Sequence, residues 1–525
     1  MNLRYLLFLG ILLFTFGIRY YGLADNPPGF FRDEADKGYT TYSLLLTGKD
    51  QTGKCLPIFT RALNVTTSAV YQYLDLPFIA ALGLNEQAVR LPACLAGTFS
   101  VMAAFLLARR WWGTIMGLWA GLFVCLSPWS ILLSRWANQS ILLTLWIPLA
   151  VFFFVSALEK DRGTIPRMMI ASFLFLLALY TYAPARLFIP VFVLLIWVIC
   201  ICHRDPAQEK RGFLFQLFFI FAGIFLIGLI PFAYHQFFEA TESTARLSRI
   251  SIFDGRPLFS IFSEFLYNYA LHLSPSFLFV HGDANLRHNT TVFGQMHWYL
   301  FPLLILGLWN AIRKRTLPAK ILLAWFFCFP FAAACTRESI PHALRSVFAV
   351  PIVQLLSVYG LKTFWEMRPR FERFLSPEML RFCQRIWLTT LIVLPSIYLY
   401  DLFVRYPMND DAAAAWEYGY RDAIAWQQEH KREGERTVVS GFAEYPYIFF
   451  LFYDRYPPDL WMEQHQIDGV AFVPLGQPIE PYVREAGKRI FYLTRPSELP
   501  NYQPDKVILT PSRLGIWKWV VLGNP

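Results

Sequence analysis

Charge is scarce in this 525-residue chain: Asp, Glu, Lys and Arg make up only 16% of it, against about 25% in soluble domains. No glycine-rich phosphate loop occurs, which excludes a Walker or Rossmann nucleotide site. The eight cysteines have no metal-like spacing and lie mostly inside apolar runs, Cys55 being the clearest exception. They read as core packing, neither a disulfide framework nor a zinc site. No fixed-period repeat or low-complexity tract is present. The net charge of +10 is not gathered into a basic soluble module, so nucleic-acid binding is excluded.

What the chain has instead is apolar length. Hydrophobic residues make up 56% and aromatics 18%. Runs long enough to cross a bilayer, about 17–25 residues, occur near 3–21, 88–108, 114–132, 141–158, 168–184, 187–202, 213–232, 297–312, 319–335, 345–361 and 386–403. These amount to about eleven transmembrane helices in a polytopic α-helical membrane protein. Basic clusters at Arg109-Arg110, Lys160/Arg162/Arg167, Arg204/Lys210/Arg211, Arg313-Lys314-Arg315 and Arg368–Arg385 fall in alternate loops. The positive-inside rule makes that side cytoplasmic. The long loops 22–87 and 233–296, the short loops at Arg135, Arg186 and Arg337–Arg345, and everything after 404 then face outward. Gly22-Leu23-Ala24 imitates a signal-peptide cleavage site, but the first apolar run is aromatic to its end and reads as an anchor.

Two parts follow. Residues 1–403 read as the transmembrane domain, and 404–525 as a small extracytoplasmic α/β domain. In the latter a helix is expected over Asp411–Gln428, strands over Arg436–Ser440, Arg489–Leu493, Val507–Leu509 and Ile516–Val521, and either element over Tyr445–Tyr453. With neither a phosphate loop nor a catalytic triad, this domain suits a lid, substrate-guide or stabilising role.

Chemistry concentrates just after the first span, where Pro27-Pro28-Gly29-Phe30-Phe31-Arg32-Asp33-Glu34 sets two adjacent carboxylates at a membrane exit. Acids are costly at a lipid boundary and mark functional candidates. The stretch continues through Gly38–Gly48, which reads as an amphipathic helix lying along the interface. Tyr71 and Tyr73 suit either an aromatic belt or substrate contact.

The Pro-Pro-Gly-Phe-Phe-Arg-Asp-Glu-Ala stretch, Val89-Arg90-Leu91-Pro92 and the hydrophobic layout resemble the polyprenyl-phosphate-sugar-dependent glycosyltransferases of the GT-C fold, related to protein O-mannosyltransferases and the lipid A aminoarabinose transferase. The resemblance extends to His281–His288 and Ile340–Ser346. It implies an inverting transfer of a sugar from a polyprenyl-phosphate donor to an acceptor hydroxyl of a lipid, glycan or protein, at the outer face of the plasma membrane, with Asp33 as general base. Such a transfer needs a base for the acceptor and cations for the departing phosphate. Neighbours in sequence point apart, so Glu34 reads as an orienting or metal-binding partner. Arg345, His342, Arg337, Arg287, His288, Arg61 and Arg90 are the phosphate-binding candidates, with Arg345 foremost. Asp283 and His281 are candidates for substrate contact. No nucleotide site is needed; a divalent metal could be held through Glu34, Asp283 or His281. Ser134–Ser140 carries no acid, which counts against a two-acid metal site. A transporter or flippase of a lipid-linked sugar is the competing reading, weakened by charges that cluster at the interface and not near the bilayer midplane.

Overall fold

The computed structural model describes the chain except residues 1–2, 64, 204–209, 239–249, 374–375, 432–434, 441–443, 475, 478–489, 495–505, 510–517 and 523–525. Arg204 and the expected strand starts at 489 and 516 lie outside the described residues. The chain is mostly helical, and its contacts divide it into two compact units: Met1–Tyr21 with Ala93–Leu402, and Gly22–Pro92 with Phe403–Pro525. The segment Gly22–Pro92 is thus grouped with the C-terminal region, where the sequence suggested a division only near 403.

Eight helices among the described residues are long and apolar enough to cross a membrane: Leu3–Tyr20, Glu86–Trp112, Gln139–Ala157, Thr164–Thr181, Ala185–Cys202, Gly212–Phe238, Leu317–Ala334 and Pro377–Met408. The remaining three expected spans fall on shorter or broken helices. Thr114–Cys125 and Phe301–Lys314 have 12 and 14 residues, and Ala349–Phe371 is interrupted by non-helical backbone at Val350 and Pro351. Along Gly212–Phe238, Phe219, Leu226, Ile227 and Phe237 are all exposed. A helix apolar on every face, with most of its surface left open by the protein, fits a lipid surround. The protein is an integral membrane protein.

Within the first unit, Phe301–Lys314 and Ala349–Phe371 cross backbone to backbone. A Cβ on Gly307 would lie 2.0 Å from the Leu356 carbonyl oxygen, and one on Gly360 would lie 1.9 Å from that of Leu303. Two glycines facing each other's helix allow this approach, as small residues do in membrane bundles. Where the first span ends, the fully buried Arg135 donates to the carbonyls of Ile18, Arg19 and Tyr21 at 2.8–3.0 Å. Those are the carbonyls a helix C-terminus leaves unsatisfied.

In the second unit, β1 (Phe59–Ala62) and β2 (Val65–Ser68) form an antiparallel ribbon. The C-terminal region carries a five-stranded mixed sheet of β3 (Arg436–Val439), β4 (Val470–Phe472), β5 (Ile490–Thr494), β6 (Lys506–Leu509) and β7 (Lys518–Leu522), in the order β4-β3-β5-β7-β6. β3 runs parallel to β4 and β5, and β7 antiparallel to β5 and β6. The helices Tyr447–Tyr453 and Pro458–Gln464 lie in the chain between β3 and β4, the length a parallel connection needs. The expected single helix over 411–428 is two, Asp410–Ala415 and Tyr420–His430, separated by residues that include Glu417 at φ 54° and Gly419 at φ 107°, both outside helical geometry. Of the segment Tyr445–Tyr453, where either element was expected, Tyr447–Tyr453 is a helix, with Ile448–Phe452 all buried.

Substituting Gly307→Val or Gly360→Val should force the two backbones apart and cost about 1–3 kcal/mol or more from overpacking. Thermal unfolding of detergent-purified variants, followed by size-exclusion chromatography, checks this against Gly10→Val, where a Cβ meets nothing within 4 Å.

Candidate active site

The acidic pair opens the helix Arg32–Thr47. Its first turn carries Asp33 and Glu34, the favourable end of the helix dipole for acids. Both Glu34 oxygens are taken: Arg90 Nε and Nη2 each donate at 2.9 Å, and the Phe31 N–H donates at 3.2 Å. Neither side chain of the pair is accessible. Arg90 also donates to the carbonyls of Leu23, Ala24, Pro27 and Gly29, the last at 2.6 Å, and its guanidinium lies 5.4 Å from the Phe30 ring centroid. Gly29 sits at φ 91°, and a Cβ there would lie 2.6 Å from the Trp416 carbonyl oxygen. This fork-and-cradle fixes the exit loop.

Two sequence expectations are corrected here. Arg90 is not a free phosphate cation, since its donors face a buried carboxylate and four carbonyls. Glu34 is not open to a metal, because an arginine covers both its oxygens. Asp33, by contrast, is exposed, and its carboxylate makes no hydrogen bond or ion pair among the described residues. Only its backbone carbonyl is engaged, by Lys37 Nζ at 3.1 Å. Adjacent residues on one helical turn have received opposite environments.

The helix behind the acids is buried from Glu34 to Thr41, whereas an interfacial helix with one lipid face was expected. Gly38 explains the burial, since a Cβ there would lie 2.6 Å from Phe452 and 2.7 Å from Val89. Two acids that the sequence reading passed over lie in this unit. Asp36 is buried, accepts from Gln51 Nε2 at 2.6 Å, and is pushed up to about 7 chiefly by burial. Asp75, buried on Val70–Leu82, is raised well above the usual carboxylate range, again chiefly by burial. An acid inside the apolar run Tyr73-Leu74-Asp75-Leu76 was the available signal. Tyr71 is fully buried and donates to the Val89 carbonyl at 2.8 Å, and Tyr73 donates to that of Pro57 at 2.9 Å. Their hydroxyls therefore serve the loop, and the fully buried Tyr71 cannot belong to an interfacial belt. Arg61 is exposed on β1.

The other candidates belong to the first unit. Asp283 Oδ2 accepts from His288 Nδ1 at 2.8 Å and from the Ala343 N–H at 2.7 Å, while Oδ1 accepts from the Asn285 N–H at 2.9 Å. Burial alone would raise the Asp283 pKa; the His288 hydrogen bond and charge outweigh it and hold it low. His342 Nδ1 lies 3.9 Å from the same oxygen, with burial, then His288 and Arg345, lowering its pKa to about 2. Arg345 donates to Thr336 Oγ1 and the Glu338 carbonyl at 3.0 Å each and to Glu338 Oε2 at 2.5 Å. Arg337 is engaged with Asp254 at 2.7 Å and Glu264 at 2.9 Å, a loop-bracing role where phosphate contact was expected. His281 is exposed, with Nδ1 3.0 Å from Ser276 Oγ, outside the Asp283 cluster. Arg287 is half-buried and its backbone N–H donates to Asn285 Oδ1.

The helical bundle with a small α/β region is the GT-C architecture. Residues 70–234 match the family model described as dolichyl-phosphate-mannose-protein mannosyltransferase. Among solved structures the chain is similar to ArnT from Cupriavidus metallidurans bound to undecaprenyl phosphate, with 13% identity, a TM-score of 0.55 and coverage of 99% of both chains. The apo form of that protein matches at the same identity and TM-score, with 98% of its chain covered. The archaeal oligosaccharyltransferase AglB from Archaeoglobus fulgidus, in complex with an inhibitory peptide and a dolichol-phosphate, matches at 11% identity and TM-score 0.52 over 94% of this chain and 69% of its own. No curated protein matches the chain significantly. The matched family and the solved neighbours are glycosyltransferases.

Removing one partner of the buried Glu34–Arg90 pair should cost about 3–5 kcal/mol. Arg90→Met should be worse than Glu34→Gln, because it also strips four carbonyls of their donor; equal losses in thermal unfolding would mean the carbonyl cradle contributes nothing.

Proposed function

We propose that the chain is an inverting glycosyltransferase that takes a sugar from a polyprenyl-phosphate donor and passes it to an acceptor hydroxyl of a lipid, glycan or protein at the extracytoplasmic face. The observation that carries this reading is the contrast between the acids: Glu34 locked to Arg90, and Asp33 exposed one residue earlier on the same fixed turn. In the single displacement, the acceptor oxygen bonds to the sugar's anomeric carbon as the carbon–oxygen bond to phosphate breaks. The acceptor proton goes to Asp33, and the lipid phosphate leaves with the bonding electrons. The donor is already activated, so no nucleotide is required.

Undecaprenyl phosphate and dolichol-phosphate in the solved neighbours support a prenyl-phosphate donor. Arg345 is the proposed phosphate contact, its fork now filled by Glu338 Oε2, an internal anion a phosphate would replace. Arg61 and Arg287 are further cations in this proposal. The outward orientation rests on the positive-inside distribution.

Asp33→Asn should retain folding and donor binding while transfer from a synthetic polyprenyl-phosphate sugar falls about 10²–10⁴-fold. More than half of wild-type turnover would overturn the base assignment. Orientation is checked separately with a membrane-impermeant thiol reagent in a background with exposed Cys55, Cys202 and Cys383 replaced. A cysteine introduced at exposed Glu463 should label from outside and one at exposed Arg373 should not; the reverse pattern would invert the topology.

A further inference from the structure

Asp283, His288 and His342 converge in the first unit with three buried donor atoms within 4.8 Å of one another. They come from two separated loops, 281–297 and 336–346. A simple histidine–aspartate brace needs one ring, and His288 already supplies it. His342 is the surplus: its ring packs at 4.9 Å from that of His288, and its Nδ1 faces Asp283 Oδ2 at 3.9 Å, beyond hydrogen-bond reach. The Arg345 N–H approaches that Nδ1 at 3.5 Å, so the nitrogen presents a lone pair and not a proton.

We infer that these three side chains form a binding site for a divalent transition-metal ion of the zinc class. Bonds of about 2.0–2.1 Å in a tetrahedron place donor atoms about 3.3 Å apart. The separations from Asp283 Oδ2 to the two Nδ1 atoms, 2.8 and 3.9 Å, bracket that value. Two imidazoles and one carboxylate select zinc-like ions over magnesium and calcium, which take oxygen donors. Three protein ligands leave a fourth position for water or another oxygen ligand.

The surroundings have the form of a ligand-orienting shell. Backbone N–H groups of Asn285 and Ala343 fix the Asp283 carboxylate. The His342 N–H donates to His272 Nε2 at 3.0 Å, while His272 Nδ1 faces the Asn268 carbonyl at 2.7 Å. That pair of contacts requires the neutral His272 tautomer with its proton on Nδ1. On binding, the ion takes the place of the proton between Asp283 Oδ2 and His288 Nδ1, and the neutral His288 ring carries its proton on Nε2 instead. The inference stands apart from the donor assignment, because binding is read without sugar transfer.

The test uses the full chain, purified in detergent through a tag free of histidine and stripped with a chelator. Cobalt should bind at one equivalent with the visible absorption of a four- or five-coordinate nitrogen–oxygen site. Zinc should displace it, and zinc but not magnesium should raise the thermal midpoint. His342→Gln and Asp283→Asn should lose the equivalent, and His272→Phe should weaken binding about 10–100-fold. A wild-type protein without saturable cobalt binding, equal competition by magnesium, or an unchanged spectrum in a folded His342→Gln would each overturn the site. If the variants do not fold, the wild-type cobalt spectrum still decides.

Discussion

Three arginines, Arg19, Arg90 and Arg135, are completely buried, and the exit from the first membrane span depends on two of them. A chain leaving a helix at a bilayer surface carries carbonyls without partners, each costly where water is scarce. Arg135 takes those of residues 18, 19 and 21, and Arg90 those of 23, 24, 27 and 29. The two sets follow one another along the chain, so almost every turn of the exit is held by a guanidinium. Burying such a group is expensive unless it is paired and fully hydrogen-bonded. Arg90 meets both conditions through Glu34. For Arg135, carbonyl dipoles at a helix C-terminus, itself a site of partial negative charge, supply the compensation.

The same economy of partners sorts the charged residues of both units. Arg337 is held by Asp254 and Glu264, Arg32 by Glu417 and Glu444, and Arg345 by Glu338. Only in the last is a strongly exposed acid set against a buried arginine, 55% against 9% side-chain exposure. Such a pair holds little energy in the acid's favour and is the easiest of these to exchange for another anion.

Membrane character and the helical class were legible in the sequence because they follow from long apolar runs. The α/β character of the C-terminal region followed from short apolar strands, although Gly419 hid a helix break. Individual side-chain roles were less legible. Val-Arg-Leu-Pro at 89–92 reads as a cation beside a span, and nothing local says that Arg90 reaches back to residues 23–34. Asp283 and His288 are five residues apart and could be linked by eye; His342 joins them only through the fold. Tyr71 and Tyr73 showed why aromatic residues near an interface are ambiguous, since a hydroxyl bound to a carbonyl looks the same in sequence as one awaiting a ligand. Asn138 and Asn289 likewise form Asn-x-Ser/Thr triplets, yet both carboxamides are buried and bonded to backbone.

The helix Gly212–Phe238 has 27 residues and, at 1.5 Å per residue, measures about 40 Å, whereas Phe301–Lys314 in the same unit has 14 and measures about 21 Å. A hydrocarbon layer of about 30 Å matches neither. The long, lipid-exposed helix must incline or draw a thicker collar of lipid around itself, and the short one favours a thinned layer or cover from its neighbour. Apolar helices of such different length in one unit do not share a single hydrophobic height, so acyl-chain length becomes a variable to which the fold itself responds.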